Sequence, residues 1–463
     1  MSTTERTGRP RDPAPERGGR RRDLAAAGVA ALLVAAAVVV GASIEHADGT
    51  LHLNWPPLYA QWDPHVGPGT PAALAVAVAV IAYGPALAAR LSWRALLLTA
   101  WTASMAWIWS LALIDGWHRG VARRLTTKYE YLQVIDRFED IPATLRDFTR
   151  HILIDSPDRW PAHTAGHPPG ATLTFVLLDR VGLGGGAWAG AFCITVGSTA
   201  VAAVLITVRA LADEATARRA APFLVLTPAA IWVGASADGY FAAVTAWMIA
   251  LLALASTRDV RSPAAAALGS GLLFGLTCYL SYGLTLFAVV AAAVLLITRT
   301  LRPLPLFLAG AAAAPLVFTL AGFDWWEAYR LLVERYYQGA GGIRPYAYFV
   351  WANLACTVLV VGLATVAGLR RTVASAPGAI SRLRAGRTTP ADRLVVLVLA
   401  ALLALLAADL SGMSKAETER IWLPFATFLT AATALLPKAG ARHWLGAQAV
   451  LALTLNHLLF TGW

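Results

Sequence analysis

Apolar runs close to the length needed to cross a lipid bilayer recur from one end of the chain to the other, and this repetition narrows the available folds more than any other feature. A helix of about 20 residues spans the hydrocarbon core, and only elements that satisfy their own backbone hydrogen bonds survive there. The 463 residues are 57% hydrophobic and only 14% charged, whereas soluble domains are about a quarter charged. The chain is therefore read as all-α, a polytopic transmembrane helical bundle of roughly 13 spans in the plasma membrane. Its net charge of +11 does not point to nucleic acid, because the arginines sit in short clusters between apolar runs, as membrane topology requires. Cys193, Cys278 and Cys356 lie inside apolar runs and read as small buried hydrophobes.

Residues 1–23 contain seven arginines and little apolar sequence, which predicts a disordered basic tail on the cytoplasmic side. Residues 24–41 are read as a first span running outward rather than a cleaved signal. An external loop over 42–68 follows, and a second span over 69–89 returns to Arg90 and Arg94. Residues 24–89 thus form an added pair before a main transmembrane domain over 90–463. The third span ends at Asp115 and places the long polar loop 115–170 outside. Residues 171–183 either cross fully, which inverts every later loop, or form a half-buried helix. The half-buried choice puts Arg258 and Arg261, Arg299 and Arg302, the tract from Arg370 to Arg393, and Lys438 and Arg442 all inside, in keeping with the positive-inside rule. It also puts the segments around Asp238, Tyr282, 323–348 and 409–422 outside, beside Asp115.

The loop 115–170 is where chemistry is expected. Its apolar positions Tyr131, Val134, Ile135, Phe138, Leu145, Phe148 and Ile152 have helical spacing, which predicts one or two helices lying along the membrane surface. Asp115 sits where lipid gives way to water, and neighbouring charge there tunes a carboxylate as a general base. Arg119, Arg123 and Arg124 follow within one to two turns, suited either to an anionic leaving group or to lipid headgroups. Glu130 lies between two tyrosines, an arrangement that fits sugar hydroxyls or an interfacial helix equally well. His163 and His167 are separated by a helix-breaking glycine and followed by proline, so a zinc site is disfavoured. Pro168 and Pro169 instead fix the start of the next helix and leave His167 able to bond substrate. Asp238, Tyr282, Arg344 in its glycine-rich turn, and Lys415, Glu419 and Arg420 in the last polar loop complete the candidate set for binding substrate or phosphate. No glycine-rich nucleotide loop, dinucleotide fingerprint, HExxH or CxxC occurs, so energy must come from an activated substrate, an ion gradient or a partner.

An acid just after an early span, a long external loop and a His-Pro-Pro entry into the following spans resemble the GT-C superfamily of integral-membrane glycosyltransferases. Asp115, residues 121–160 and His167-Pro168-Pro169 carry that resemblance here. Asp115 to Arg119, Gly166 to Gly170, Leu280 to Gly283 and Ser414 to Phe425 further resemble actinobacterial membrane glycosyltransferases, including a mycobacterial group implicated in placing methylthioxylose on lipoglycan mannan. The resemblance implies a GT-C-like bundle with membrane-parallel loop helices and a multi-pass enzyme that works as a monomer. Its active site would be extracytoplasmic and its N-terminus cytoplasmic. It implies a polyprenyl-phosphate sugar donor, a glycan or lipoglycan acceptor, and inverting attack with Asp115 as base. A divalent cation, magnesium or manganese, is left open as a cofactor. In the superfamily the acid follows the first span, so the extra pair of spans here leaves Asp48 and Asp63 as rival bases. A secondary transporter or flippase is the competing reading, although no inverted repeat is evident and the ionisable residues gather outside the spans.

Overall fold

The computed structural model describes residues 14–461, with side chains from residue 18 onward. The chain is a helical membrane bundle. Among the described residues, eight helices are long and apolar enough to cross a bilayer, or nine if Leu304–Leu320 and Trp325–Gln338, bent by 80°, count as one span. Two shorter apolar helices, Tyr282–Thr298 and Leu423–Leu435, pack among them. The figure is below the roughly 13 expected because much apolar sequence is cut into short pieces. Pro169–Arg180 has 12 residues and so reaches about 18 Å, little more than half the hydrocarbon thickness. That length fits the half-buried helix expected as one alternative for 171–183.

The tail expected over 1–23 falls partly outside the described residues, and residues 14–23 are helical, forming the first turns of Ala14–Asp48. Asp23 supplies the reason. It is buried and ion-paired with Arg370 and with Arg371, the latter at 2.7 Å, on the long helix Tyr346–Arg384. Further along, the Tyr348 hydroxyl donates to the Ala37 carbonyl at 2.8 Å, so the two helices run antiparallel in contact over most of their length. Tyr346–Arg384 is broken at Gly362, whose φ of 78° and ψ of 166° favour glycine. The buried Gln448 side chain fills the break: its amide donates to Val361 O at 2.9 Å and its oxygen accepts from Ala364 N at 3.4 Å. A polar side chain thus satisfies backbone groups freed by the kink, as an apolar surrounding demands.

The two ends of the bundle differ in charge. At one end Gly69 N donates to Leu113 O, and Asp63 N and His65 N donate to Leu458 O and His457 O. These bonds gather the start of Thr70–Arg90, the end of Trp93–Ala112 and the end of Ala441–Leu458 around Asp115. At the other end Arg218 donates to Ala88 O, Arg442 to Ala82 O and Arg393 to Leu211 O. Both signs of charge meet around Asp115, whereas these remote main-chain contacts are all made by arginines.

Residues 115–170 form a succession of short helices rather than one or two long ones. They are Tyr131–Phe138, Ile141–Asp147, Phe148–His151 and Ala162–Gly166, preceded by tight turns over His118–Ala122 and Arg124–Thr126. Asp140 restarts the chain by capping Ala143 N at 3.0 Å ahead of Pro142. The apolar positions named from spacing are still the buried ones: Val134, Phe138, Leu145, Phe148 and Ile152 join Trp160, Tyr279, Tyr282 and Phe323 in one cluster.

Candidate functional site

Two charged groupings meet at the Asp115 end, and Arg124 stands between them. Asp115 ends a short turn after Trp93–Ala112, and its carboxylate is 5% exposed. Oδ1 lies 2.9 Å from His65 Nε2 and 3.5 Å from Arg119 Nη2, while Oδ2 lies 2.9 Å from Arg124 Nη2. Arg119 also holds Asp63 at 2.6 Å. Asp63 therefore sits in the same network, while its main-chain oxygen meets His65 Nδ1 at 2.6 Å. Phe460 lies under both guanidinium groups, at 4.1 Å from Arg119 and 4.8 Å from Arg124, and Arg124 donates to Thr461 O. Burial lowers the Arg124 guanidinium from its ordinary value, with Asp115 opposing the shift.

Arg124 takes a place that helical counting gives to Arg123. Residues His118–Ala122 form a π-turn, with Arg123 N bonded to His118 O. The extra residue in that turn advances the register by one. Arg124 is buried against Asp115 and Arg123 is exposed.

On the far side of Arg124 is a small space of about 10 Å³, lined by Arg124, Glu130, Tyr131, His163, Ser236 and Arg420, among others. It holds about one water molecule. Arg420 is the hub of this grouping. Its Nη1 donates to Asp238 at 2.6 Å, and its Nη2 donates to Glu417 at 3.0 Å and to His163 Nε2 at 2.9 Å. Because His163 Nε2 accepts from a guanidinium, the ring proton belongs on Nδ1, which lies 3.0 Å from Glu130 Oε2. Burial would lower the Arg420 guanidinium, but Asp238, Glu417 and Glu130 outweigh it and hold it above its usual range. Tyr131 is fully buried on the same wall, and its hydroxyl has no hydrogen-bond partner among the described residues. Burial, with Asp238 and Glu130 nearby, pushes it well above the usual phenol range. The backbone around the space is strained: Ala235, Ala416 and Glu417 have φ of 59°, 72° and 62°, left-handed values that non-glycine residues rarely take.

The remaining candidates lie around this space rather than in its wall. His167 Nδ1 bonds Leu280 O at 2.9 Å, and burial brings the ring down to a pKa of about 4. It braces the start of Pro169–Arg180 against the end of Pro263–Leu280. Arg344 donates to Leu51 O at 2.9 Å and Lys415 O at 2.8 Å, and Lys415 Nζ donates to Gly341 O at 2.8 Å. Both cations tether loops instead of pointing into the space, although Arg344 also approaches Glu417 at 3.8 Å. Glu419 faces away from its neighbour Arg420, accepting from Tyr59 N at 3.1 Å and Cys356 Sγ at 3.4 Å. Tyr282 packs on Trp325 and Tyr329 in the loop cluster, away from Arg420. Glu417 and His65 are the participants that residue spacing did not single out, while Arg124 and Tyr131 were noted without being placed in the candidate set. Among the described residues no three His, Cys, Asp or Glu side chains converge to hold a metal ion.

No family model matches the chain, and no curated protein matches it. Among solved structures, it is similar to the Archaeoglobus fulgidus oligosaccharyltransferase in complex with Zn and sulfate, at 14% identity and a TM-score of 0.43, over 78% of this chain and 53% of that one. The same enzyme tethered by a disulfide to an acceptor peptide containing the NVT sequon gives 14% identity and a TM-score of 0.42, over 78% and 54%. The chain spans about half the length of these structures.

Proposed function

We propose that the chain transfers a sugar from a polyprenyl-phosphate donor to a glycan or lipoglycan acceptor of the cell envelope. The Asp115 end of the bundle would face away from the cytoplasm. The supporting observation is that two buried guanidinium groups from distant parts of the sequence, Arg124 and Arg420, flank one space together with the Glu130–His163 pair. Inverting transfer needs these two functions. A base takes the acceptor hydroxyl proton as its oxygen bonds the anomeric carbon. Preorganised cations stabilise the phosphate as its oxygen leaves with the electron pair of the broken carbon–oxygen bond. The His-Pro-Pro entry and the Ser414 to Phe425 segment resemble GT-C enzymes and support the same reading.

Geometry favours Glu130 over Asp115 as the base. Both oxygens of Asp115 are held by cationic partners or His65, and Asp115 is absent from the wall of the space, whereas Glu130 forms part of it. Asp115 acts as a positioning residue that aims Arg124. The space admits one water, so donor binding requires the strained segment at Ala416 and Glu417 to move Arg420 outward.

The test is transfer by purified protein from a labelled polyprenyl-phosphate pentose or hexose to an oligomannoside. Glu130→Gln is expected to lower kcat at least a hundredfold with KM for the donor little changed. Asp115→Asn is expected to raise that KM more than it lowers kcat. If Asp115→Asn alone abolishes kcat while Glu130→Gln turns over normally, the base is Asp115. Movement of the lipid across proteoliposomes with no transfer product would replace the enzyme reading with a flippase.

A further inference from the structure

A second and larger cavity opens at the basic end of the bundle. It encloses about 500 Å³ between Thr70–Arg90, Glu214–Val225 and the turn leading into Ala441–Leu458. Gly69, at the start of the first of these helices, is bonded beside Asp115, whereas Ala89, at its other end, lines the cavity. That length of helix separates the cavity from the candidate active site by about 30 Å.

The wall is apolar at depth and basic at the mouth. Pro85, Pro222, Phe223 and Leu436 form the interior, and Phe223 and Leu436 are otherwise buried. Arg218 is already used: it is paired with Glu214 at 2.6 Å and bonded to Ala88 O. Asp213 is used as well, accepting from Thr216 N at 2.6 Å as a helix cap. Arg219 reaches only the Thr216 hydroxyl, at 3.3 Å, and is exposed. Lys438 is exposed, and neither it nor Arg219 has an acidic partner among the described residues. Two uncompensated cations thus stand over an apolar recess of the size that small amphiphiles fill.

The geometry points to a binding site for an anionic phospholipid, with its phosphate between Arg219 and Lys438 and the upper part of an acyl chain against Phe223 and Leu436. Basic pockets between membrane helices recognise such headgroups by charge, and the apolar depth distinguishes a lipid from a free anion. The occupant touches three elements at once, so binding adds to their packing and stabilises the bundle. The site stands apart from sugar transfer and does not depend on that reading.

The experiment is thermal unfolding of the full chain in detergent with phosphatidylglycerol, phosphatidylcholine or inorganic phosphate added separately. Phosphatidylglycerol is expected to raise Tm by about 3 °C or more, with the other two giving little change. The double substitution Arg219→Gln with Lys438→Gln should remove that shift. Ala215→Trp, which fills the mouth from an exposed position without altering charge, should remove it too. Equal shifts from phosphatidylglycerol and phosphatidylcholine, an undiminished shift in both variants, or a full shift from phosphate alone would each overturn the assignment.

Discussion

His167 carries no charge at neutral pH in this fold, because burial brings its pKa down to about 4 while its Nδ1–H is held by Leu280 O. In the unfolded chain the same ring titrates near its ordinary value of about 6.5. Between these two values the unfolded state binds the proton more readily, so stability falls as pH drops from about 6.5 toward 4 and is unaffected above that window. The loss from this group amounts to at most about 3.4 kcal/mol. His167→Asn keeps a donor for Leu280 but does not titrate. Its denaturation midpoint is therefore expected to change less between pH 7 and pH 4 than that of the parent, and identical pH profiles would exclude His167 as the source. At this scale the sequence was informative about residue types and weaker on register. Glu130, His163, Asp238 and Arg420 were legible as polar residues beside apolar runs, and they do converge. Arg124 was named beside Arg123, but spacing could not choose between them, because a single π-turn displaces the helical count and spacing alone carries no mark of such a turn.

Among the elements, the break in Tyr346–Arg384 is the clearest case of one helix completing another. Gly362 leaves Val361 O and Ala364 N without the usual helical partners, and Gln448 from a helix much later in the chain supplies both. Replacing it by leucine keeps the volume but strands two backbone groups in an apolar interior. Gln448→Leu should therefore cost about 1–3 kcal/mol of stability, read as a lowered unfolding midpoint in detergent, with helix content retained. An unchanged midpoint would mean that the break is satisfied in some other way. The same helix shows why span counting from apolar runs exceeds the number of long helices. Hydropathy measures how much apolar sequence there is, but proline and glycine decide where a helix stops. Pro169–Arg180 and Leu423–Thr430 are apolar over most of their length and too short to cross. The loop 115–170 illustrates the converse: periodic spacing correctly marked which side chains are buried, while Asp140, Pro142 and the tight turns divided the helices that spacing would have joined.

Over the whole molecule, the candidate site is assembled from segments spread along nearly the entire described chain. The strand Ala60–Trp62 pairs antiparallel with Leu459–Thr461, which brings the start and the end of the bundle to Asp115. Through that pairing Phe460 lies beneath Arg119 and Arg124, and Thr461 O accepts a hydrogen bond from Arg124. These residues follow the last long helix, and they fix the orientation of the cation shared by Asp115 and the small polar space. Removing residues 459–463 should leave the helices in place, because the last long helix ends at Leu458 and its packing is made along its length. It should also free Arg124 to turn away from the space. The expected result is an unchanged helical circular-dichroism signal with sugar transfer reduced at least about tenfold, equivalent to about 1.4 kcal/mol of lost transition-state stabilisation. Phe460→Leu, which retains the strand and the Thr461 acceptor but not the aromatic face, should fall between the truncated and parent chains. A truncated chain that transfers sugar at the parental rate would show that Arg124 does not need its seat between strand and loop, and the electrostatic role assigned to it would have to pass to Arg420 alone.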